Sequence, residues 1–390
     1  MRPTGLLHLG HYHGVLKNWI ELQHIYECFY FVADWHALTT HYENPSIIAE
    51  SSRDMVIDWL AAGVNPGNST IFVQSRIPEH AELYTLLSMI TPLGWLLRVP
   101  SYKDQQEKIK DRDLATYGFL GYPLLQSADI LIYKAGYVPV GEDQVAHVEL
   151  TREVARRFNH FYGKEVDFEQ KVEAAIKKMG KKNARIYNDV RKRFQEQGES
   201  EALDIGKALL ESQQNISLSD RDRLIGNLEG GGRIILPEPQ SLLTVSSKMP
   251  GLDGQKMSKT YNNTISLRDT PQEVEKKIKT MPTDPARVRR TDPGNPEICP
   301  VWDLHQVYTS EATREQLADG CKTASIGCID CKQPVIDAII DELKPIQLRM
   351  KDYLNDLSGV DSIINEGCEA ARDVAQDTIE EVRKVMGLPG

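Results

Sequence analysis

Four of the six cysteines in this 390-residue chain, Cys299, Cys321, Cys328 and Cys331, follow the spacing C-x21-C-x6-C-x2-C. A C-x2-C pair suits one metal centre, and two more thiolates can complete its coordination. Zinc accepts such a set, and four unmetallated thiols are the alternative. Near the start, His8-Leu9-Gly10-His11 precedes the run "VLKNWIELQ", which the apolar periodicity predicts as a helix. Glycine lets a phosphate approach the backbone, a helix start offers unpaired N–H groups, and imidazoles donate to phosphate oxygens. Solvated histidines or a metal-binding pair are the other readings. A third stretch, "GLDGQKMSKTYNN" (251–263), sets Lys256 and Lys259 around Ser258 between glycines. Cations on such a loop can stabilise charge developing on a polyphosphate, although a lysine-rich loop is also often merely solvated.

These groups need a scaffold, and the hydrophobic pattern supplies one. "CFYFVADW" (28–35) and "STIFVQS" (69–75) read as buried parallel strands, with a capped helix between Pro45 and Gly63. The alternation predicts an α/β fold with a doubly wound parallel sheet, whose ligand sits at the carboxyl ends of the strands. Residues 171–194 carry nine basic against two acidic side chains on a helical composition, which marks an inserted helical subdomain. "GGGR" (230–233) reads as its flexible exit. Strand-like "SLLTVSS" (241–247) returns to the α/β pattern, and the chain is helical from about residue 270 to its end. The expected organisation is an α/β domain in two parts, 1–163 and 237–270, interrupted by a helical insertion at 164–236. A helical domain follows at 271–390.

Composition removes several classes of function. No apolar run reaches the roughly 18 residues that a membrane span needs. The start holds three histidines and no apolar core, unlike a secretory signal, so a cytoplasmic location is expected, with no membrane partner. Reducing conditions there argue against disulfides. A net charge of −10 disfavours indiscriminate nucleic-acid binding; no DNA partner is expected, while a local basic face could still serve RNA. The basic helices at 171–194 are such a face or a plain solvated one. "ARVRR" (286–290) offers Arg287, Arg289 and Arg290 to RNA, or pairs them with Asp284 and Asp292.

The HxGH-type element and the KMSK loop, in this order, resemble the paired signatures of class I aminoacyl-tRNA synthetases. "FVADWHALTTHY" (31–42), "GYPLLQSADILIY" (121–133), "VPVGEDQVAHVELTREVARRFN" (138–159) and "TDPARVRRTDPGNPE" (283–297) narrow the resemblance to the bacterial-type tryptophanyl-tRNA synthetases. The resemblance implies a homodimer with a Rossmann-type catalytic domain and a helical anticodon-binding domain. It implies activation of L-tryptophan by ATP, with Mg2+, to tryptophanyl-adenylate and then transfer to tRNA(Trp).

Carried over motif by motif, the resemblance places Thr4, Gly10 and His11 along the ATP phosphates, with Lys256, Met257, Ser258, Lys259 and Thr260 closing over them. Lys103 is implied as a further phosphate-side cation, next to Gln105 where relatives carry lysine. Gly141, Glu142 and Asp143 match the residues that hold the ribose, and Met249 the segment lining the adenine. For tryptophan, Asp129 matches the acceptor of the indole N–H. Tyr122 and Gln144 match groups around the ammonium, Val138 and Val140 wall the ring, and His36 is close to the substrate. Gln126 stands where many relatives have methionine.

A subset of the family binds a 4Fe-4S cluster through cysteines of nearly this spacing, within text like "TASIGCIDCK". The resemblance therefore implies such a cluster, of structural role, on Cys299, Cys321, Cys328 and Cys331, with Zn2+ as the alternative ion. It also implies a β-strand ahead of the Pro3-Thr4-Gly5 turn, and we expect the true start to lie upstream of Met1.

Overall fold

In the computed structural model, residues 1–100, 115–164, 167–243 and 249–389 are described. Lys103 and Gln105, the end of the strand-like run at 244–247 and the side chain of Thr260 lie outside them. The chain divides into two compact units, Met1–Arg76 with Thr244–Ala371, and Ile77–Leu243 with Arg372–Gly390.

In the first unit, β1 (Cys28–Val32) and β2 (Ser69–Val73) pair in parallel, Cys28 opposite Ser69 and Val32 opposite Val73. Burial alternates along β1, so Cys28, Tyr30 and Val32 face the core. The crossover helix Ser46–Ala62 buries Met55, Val56, Trp59 and Leu60 and stops at Gly63, whose φ of 124° suits glycine alone. Trp19 stacks on Tyr30 at 4.2 Å and meets Trp59 edge-on, locking the first helix to strand and crossover. Met1 lies along β1: its amino group donates to the Phe31 carbonyl at 2.7 Å, and the Ala33 N–H donates to the Met1 carbonyl at 2.8 Å. Helical segments follow, including Pro271–Thr280, Pro300–Tyr308, Glu311–Lys322 and Cys328–Asn355. Thr270 and Glu273 form a capping box at the first of these.

In the second unit, β3 (Tyr137–Val140) and β4 (Gln240–Leu243) pair in parallel, with helices Tyr117–Leu131 and Val145–Tyr162 flanking β3 in sequence. The predicted parallel pairing is present, in two pairs among the described residues. Four helices, Phe168–Lys178, Gly180–Gln197, Ser200–Glu211 and Leu218–Leu228, close over their own core of Val172, Tyr187, Val190, Leu210, Leu224 and Leu228.

The glycine run after this core is not a flexible exit. A Cβ on Gly226 would stand 1.5 Å from the Gly232 carbonyl oxygen, and one on Gly232 would stand 2.1 Å from the Gly163 carbonyl carbon. The Arg233 N–H donates to the Gly163 carbonyl, and Asn159 bonds both Ile235 and Leu236. Glycine is needed here because three backbone segments touch, a demand that composition alone does not distinguish from flexibility.

Candidate active site

The phosphate-binding residues predicted in the first unit meet through backbone pairing. His8 bridges Ser266 in antiparallel fashion, the Leu9 N–H donates to the Ile265 carbonyl, and the Leu267 N–H donates to the Leu7 carbonyl. The HxGH-type element is thereby fixed to the end of the KMSK loop. Helix begins at Leu9 rather than at Val15, and Tyr12–Leu16 form a wider π turn before Lys17–Leu22. His8 caps that start. Its Nδ1 accepts the Gly10 N–H at 3.1 Å, while the Nδ1 of His11 accepts the His8 N–H at 3.3 Å. Both rings, when neutral, therefore carry their proton on Nε2. Burial, and then the charge of Lys259, lowers His8 to about 4, and burial with His8 and Lys259 holds His11 well below the ordinary range. Two neutral N–H donors result at neutral pH.

Gly10 earns its place by space: a Cβ would lie 2.9 Å from the His8 ring and 3.5 Å from Met257. Lys259 reaches across to the first turn, donating to the carbonyls of Gly5 at 2.8 Å and Thr4 at 3.3 Å. Burial lowers its ammonium to about 8, although Asp58 acts in the opposite sense. Asp58 is itself buried, which raises its carboxyl to about 6, and Arg268 holds it at 2.9 Å. The loop hangs on Asn263, which is buried. Its Oδ1 accepts the Ser258 N–H, and its Nδ2 donates to Asp253 and to the Lys256 carbonyl. Lys256 bridges Pro250, and the Met257 N–H bonds the carbonyl of buried Met249. Asn263, Asp58 and Arg268 carried no signal in the sequence, since each acts through a partner distant in the chain or through backbone. His36, the one predicted tryptophan-side residue of this unit, is buried in helix Asp34–His41.

In the second unit, helix Tyr117–Leu131 spaces Tyr122, Gln126 and Asp129 at four and three residues, along one face. Asp129 is buried within the helix, and its Oδ1 accepts from Nδ1 of His80 at 2.7 Å. His80, fully buried, meets the Tyr133 hydroxyl through Nε2 at 2.7 Å. Gln126 Oε1 accepts from His147 Nδ1 at 2.6 Å, and the same ring lies 3.4 Å from the Tyr122 hydroxyl. Both histidines were missed in the sequence. Val138 and Val140 belong to β3, and Gly141, Glu142 and Asp143 follow it directly. A Cβ on Gly141 would lie 2.9 Å from Asp143 Oδ1, and Gln144 donates to Oδ2 of Asp143.

All six cysteines are free thiols. Cys299 immediately precedes helix Pro300–Tyr308, Cys321 lies in the last turn of Glu311–Lys322, and Cys328 and Cys331 lie in the first turn of Cys328–Asn355. Burial, then the other three thiols, pushes Cys331 up to about 12. Among the described residues, however, no three His, Cys, Asp or Glu side chains are grouped to hold a metal ion. Arg287 is turned inward, 3.8 Å from the Cys321 sulfur and donating to the Arg290 and Ile326 carbonyls. It therefore does not offer RNA a free guanidinium. Nor do Asp284 and Asp292 pair with arginine side chains as one reading expected; they accept backbone N–H groups of Ala286, Asn295 and Arg289.

The sequence model of the family "tRNA synthetases class I (W and Y)" matches residues 1–192 and 214–344. The chain is 64% identical over 388 residues to a tryptophan–tRNA ligase of Ralstonia nicotianae, covering 100% of this chain and 97% of that one. It is 44% identical over 390 residues to a tryptophan–tRNA ligase of Thermotoga maritima, covering 100% and 98%. Among solved structures, tryptophanyl-tRNA synthetase from Campylobacter jejuni, complexed with ADP and tryptophan, matches with a TM-score of 0.74 at 25% identity. That match covers 100% of this chain and 98% of the other.

Proposed function

The chain belongs to the class I tRNA synthetases of the W and Y type, and from that premise we propose that it is a tryptophan–tRNA ligase. It activates L-tryptophan with ATP and transfers the product to tRNA(Trp). The observation that carries this reading is 64% identity, along the whole chain, to a ligase of that specificity. The buried, hydrogen-bonded Asp129 supports it chemically. A fixed carboxylate acceptor favours an indole N–H over phenylalanine, whose ring offers it no donor.

Attack of the tryptophan carboxylate on the α-phosphate needs position and charge rather than a side-chain nucleophile. His11, Gly10 and the Thr4 turn line the phosphates, and Lys256 and Lys259 supply cations on a loop already stitched to that turn. Lys103 adds a further cation in this reading. Mg2+ accompanies ATP and neutralises phosphate charge. Gly141, Glu142 and Asp143 serve the ribose, Met249 the adenine, and Tyr122, Gln126, Gln144, Val138, Val140 and His36 the amino acid. The working form is a homodimer in the cytoplasm, where translation occurs.

Cys299, Cys321, Cys328 and Cys331 are proposed to hold a 4Fe-4S cluster of structural role. Soft thiols carried at the ends of helices Pro300–Tyr308, Glu311–Lys322 and Cys328–Asn355, with the Arg287 guanidinium beside Cys321, are donors of the right chemistry for it. Zn2+ suits the same donors. Anaerobic purification followed by iron, sulfide and zinc analysis decides between them, and metal-free protein would remove both. The ligase reading is tested by ATP–pyrophosphate exchange with each aromatic amino acid. Exchange dependent on tryptophan is expected; exchange driven equally by tyrosine would overturn it.

A further inference from the structure

His80 has no role in the functions described so far, yet its ring is fully enclosed beside Asp129. It lies in the first turn of helix Glu79–Ser88, with no exposed surface. Nδ1 meets Asp129 Oδ1 at 2.7 Å and Nε2 meets the Tyr133 hydroxyl at 2.7 Å. An imidazole nitrogen facing a carboxylate oxygen carries the proton, so a neutral ring accepts the Tyr133 O–H at Nε2. The chain Tyr133–His80–Asp129 thus has a defined direction. A lone carboxylate on a helix rotates about two side-chain bonds; one whose oxygen is tied to a buried ring does not.

We propose that His80 is a positioning residue for indole recognition: its Nδ1–H holds the Asp129 carboxylate in the orientation that accepts the indole N–H of tryptophan. This rests on the reading of Asp129 as the indole acceptor. The bland alternative is a buried histidine that merely ties helix Glu79–Ser88 to helix Tyr117–Leu131, and the two differ in what they do to substrate choice.

The probe is β-(3-benzothienyl)alanine, in which sulfur replaces the indole N–H. The readout is the ratio of kcat/KM for tryptophan over this analogue in ATP–pyrophosphate exchange. The amide nitrogen of asparagine falls about where Nδ1 stands, and that of glutamine about where Nε2 stands. We expect D129N and H80Q each to lower the ratio on the order of 10- to 100-fold, chiefly through KM for tryptophan, with KM for ATP unchanged. H80N should restore most of it. If D129N leaves the ratio intact, the indole reading itself fails. If D129N collapses the ratio while H80Q does not, or if H80N and H80Q fall together, His80 is not the positioning group. A second measurement needs no variant: in 15N-histidine-labelled protein the His80 Nδ1–H resonance should shift when tryptophan is added, and an unmoved resonance would overturn the proposal.

Discussion

Lys259 shows what burial does to a cation meant for phosphate. Partly desolvated and bonded to carbonyls of the Thr4–Gly5 turn, its ammonium is lowered to about 8, far below a free lysine. The free enzyme therefore loses this charge as pH rises through about 8, and kcat/KM for ATP should fall over that interval. K259R, which does not deprotonate, should push the falling limb to higher pH even if its geometry lowers the maximum. K259M should reduce exchange by roughly 100- to 1,000-fold at neutral pH, the range for losing a group that stabilises transition-state charge. A profile flat across pH 7–9 would contradict this account of Lys259. The sequence disclosed Lys259 because its motif is contiguous. It did not disclose His80, 49 residues from Asp129, because a histidine in "PEHAEL" looks like any other helix-start residue until the fold brings the two together.

Elements are held by a few buried polar clamps. Glu342, on helix Cys328–Asn355, accepts from His13 at 2.8 Å, Lys17 at 2.9 Å and the Tyr308 hydroxyl at 2.8 Å. Burial alone would raise its carboxyl, but the bonds from His13, Lys17 and Tyr308 outweigh it and hold it at about 2. Because the folded value lies below the ordinary 4.5, the ionised form stabilises the fold fully above that pH and the contribution is lost as pH falls toward 2. E342Q should thus melt lower than the parent at pH 7, with the gap closing between pH 4.5 and 2; a gap independent of pH would point to packing instead. The same helix begins at Cys328 and Cys331, so a clamp four turns away ties the cysteine region to the element after His11.

Backbone contact makes a second demand at this scale. A Cβ on Gly367, in helix Leu357–Val385, would stand 1.9 Å from the Ile71 carbonyl oxygen of β2. G367A must displace helix or strand, and should destabilise by roughly 1–3 kcal/mol in chemical denaturation. Neither Gly367 nor the crossing at Gly226 and Gly232 was legible beforehand. Strand and helix periods were legible, since they follow from apolar spacing. The helix start at Leu9 was not, because His8, Gly10 and His11 are poor helix formers and only the reciprocal imidazole caps make that turn.

At the scale of the whole molecule, the parallel strand pairs and the long C-terminal helices agree with the fold expected from the sequence, and no helix among the described residues is long and apolar enough to cross a membrane. With a net charge of −10, tRNA binding must rely on local basic surface, for which exposed Lys177, Lys181 and Lys182 on helices Phe168–Lys178 and Gly180–Gln197 qualify, whereas Lys178 is paired with Asp220 at 2.6 Å. Reversing those three charges should raise KM for tRNA severalfold and leave pyrophosphate exchange alone if they touch RNA; an unchanged KM would make them a solvated face. The most direct test of the central claim is ATP-dependent attachment of radiolabelled amino acid to a tRNA(Trp) transcript by the purified protein. The account predicts charging with tryptophan and none with tyrosine or phenylalanine. Charging with tyrosine, or no charging by protein that still binds ATP, would contradict it.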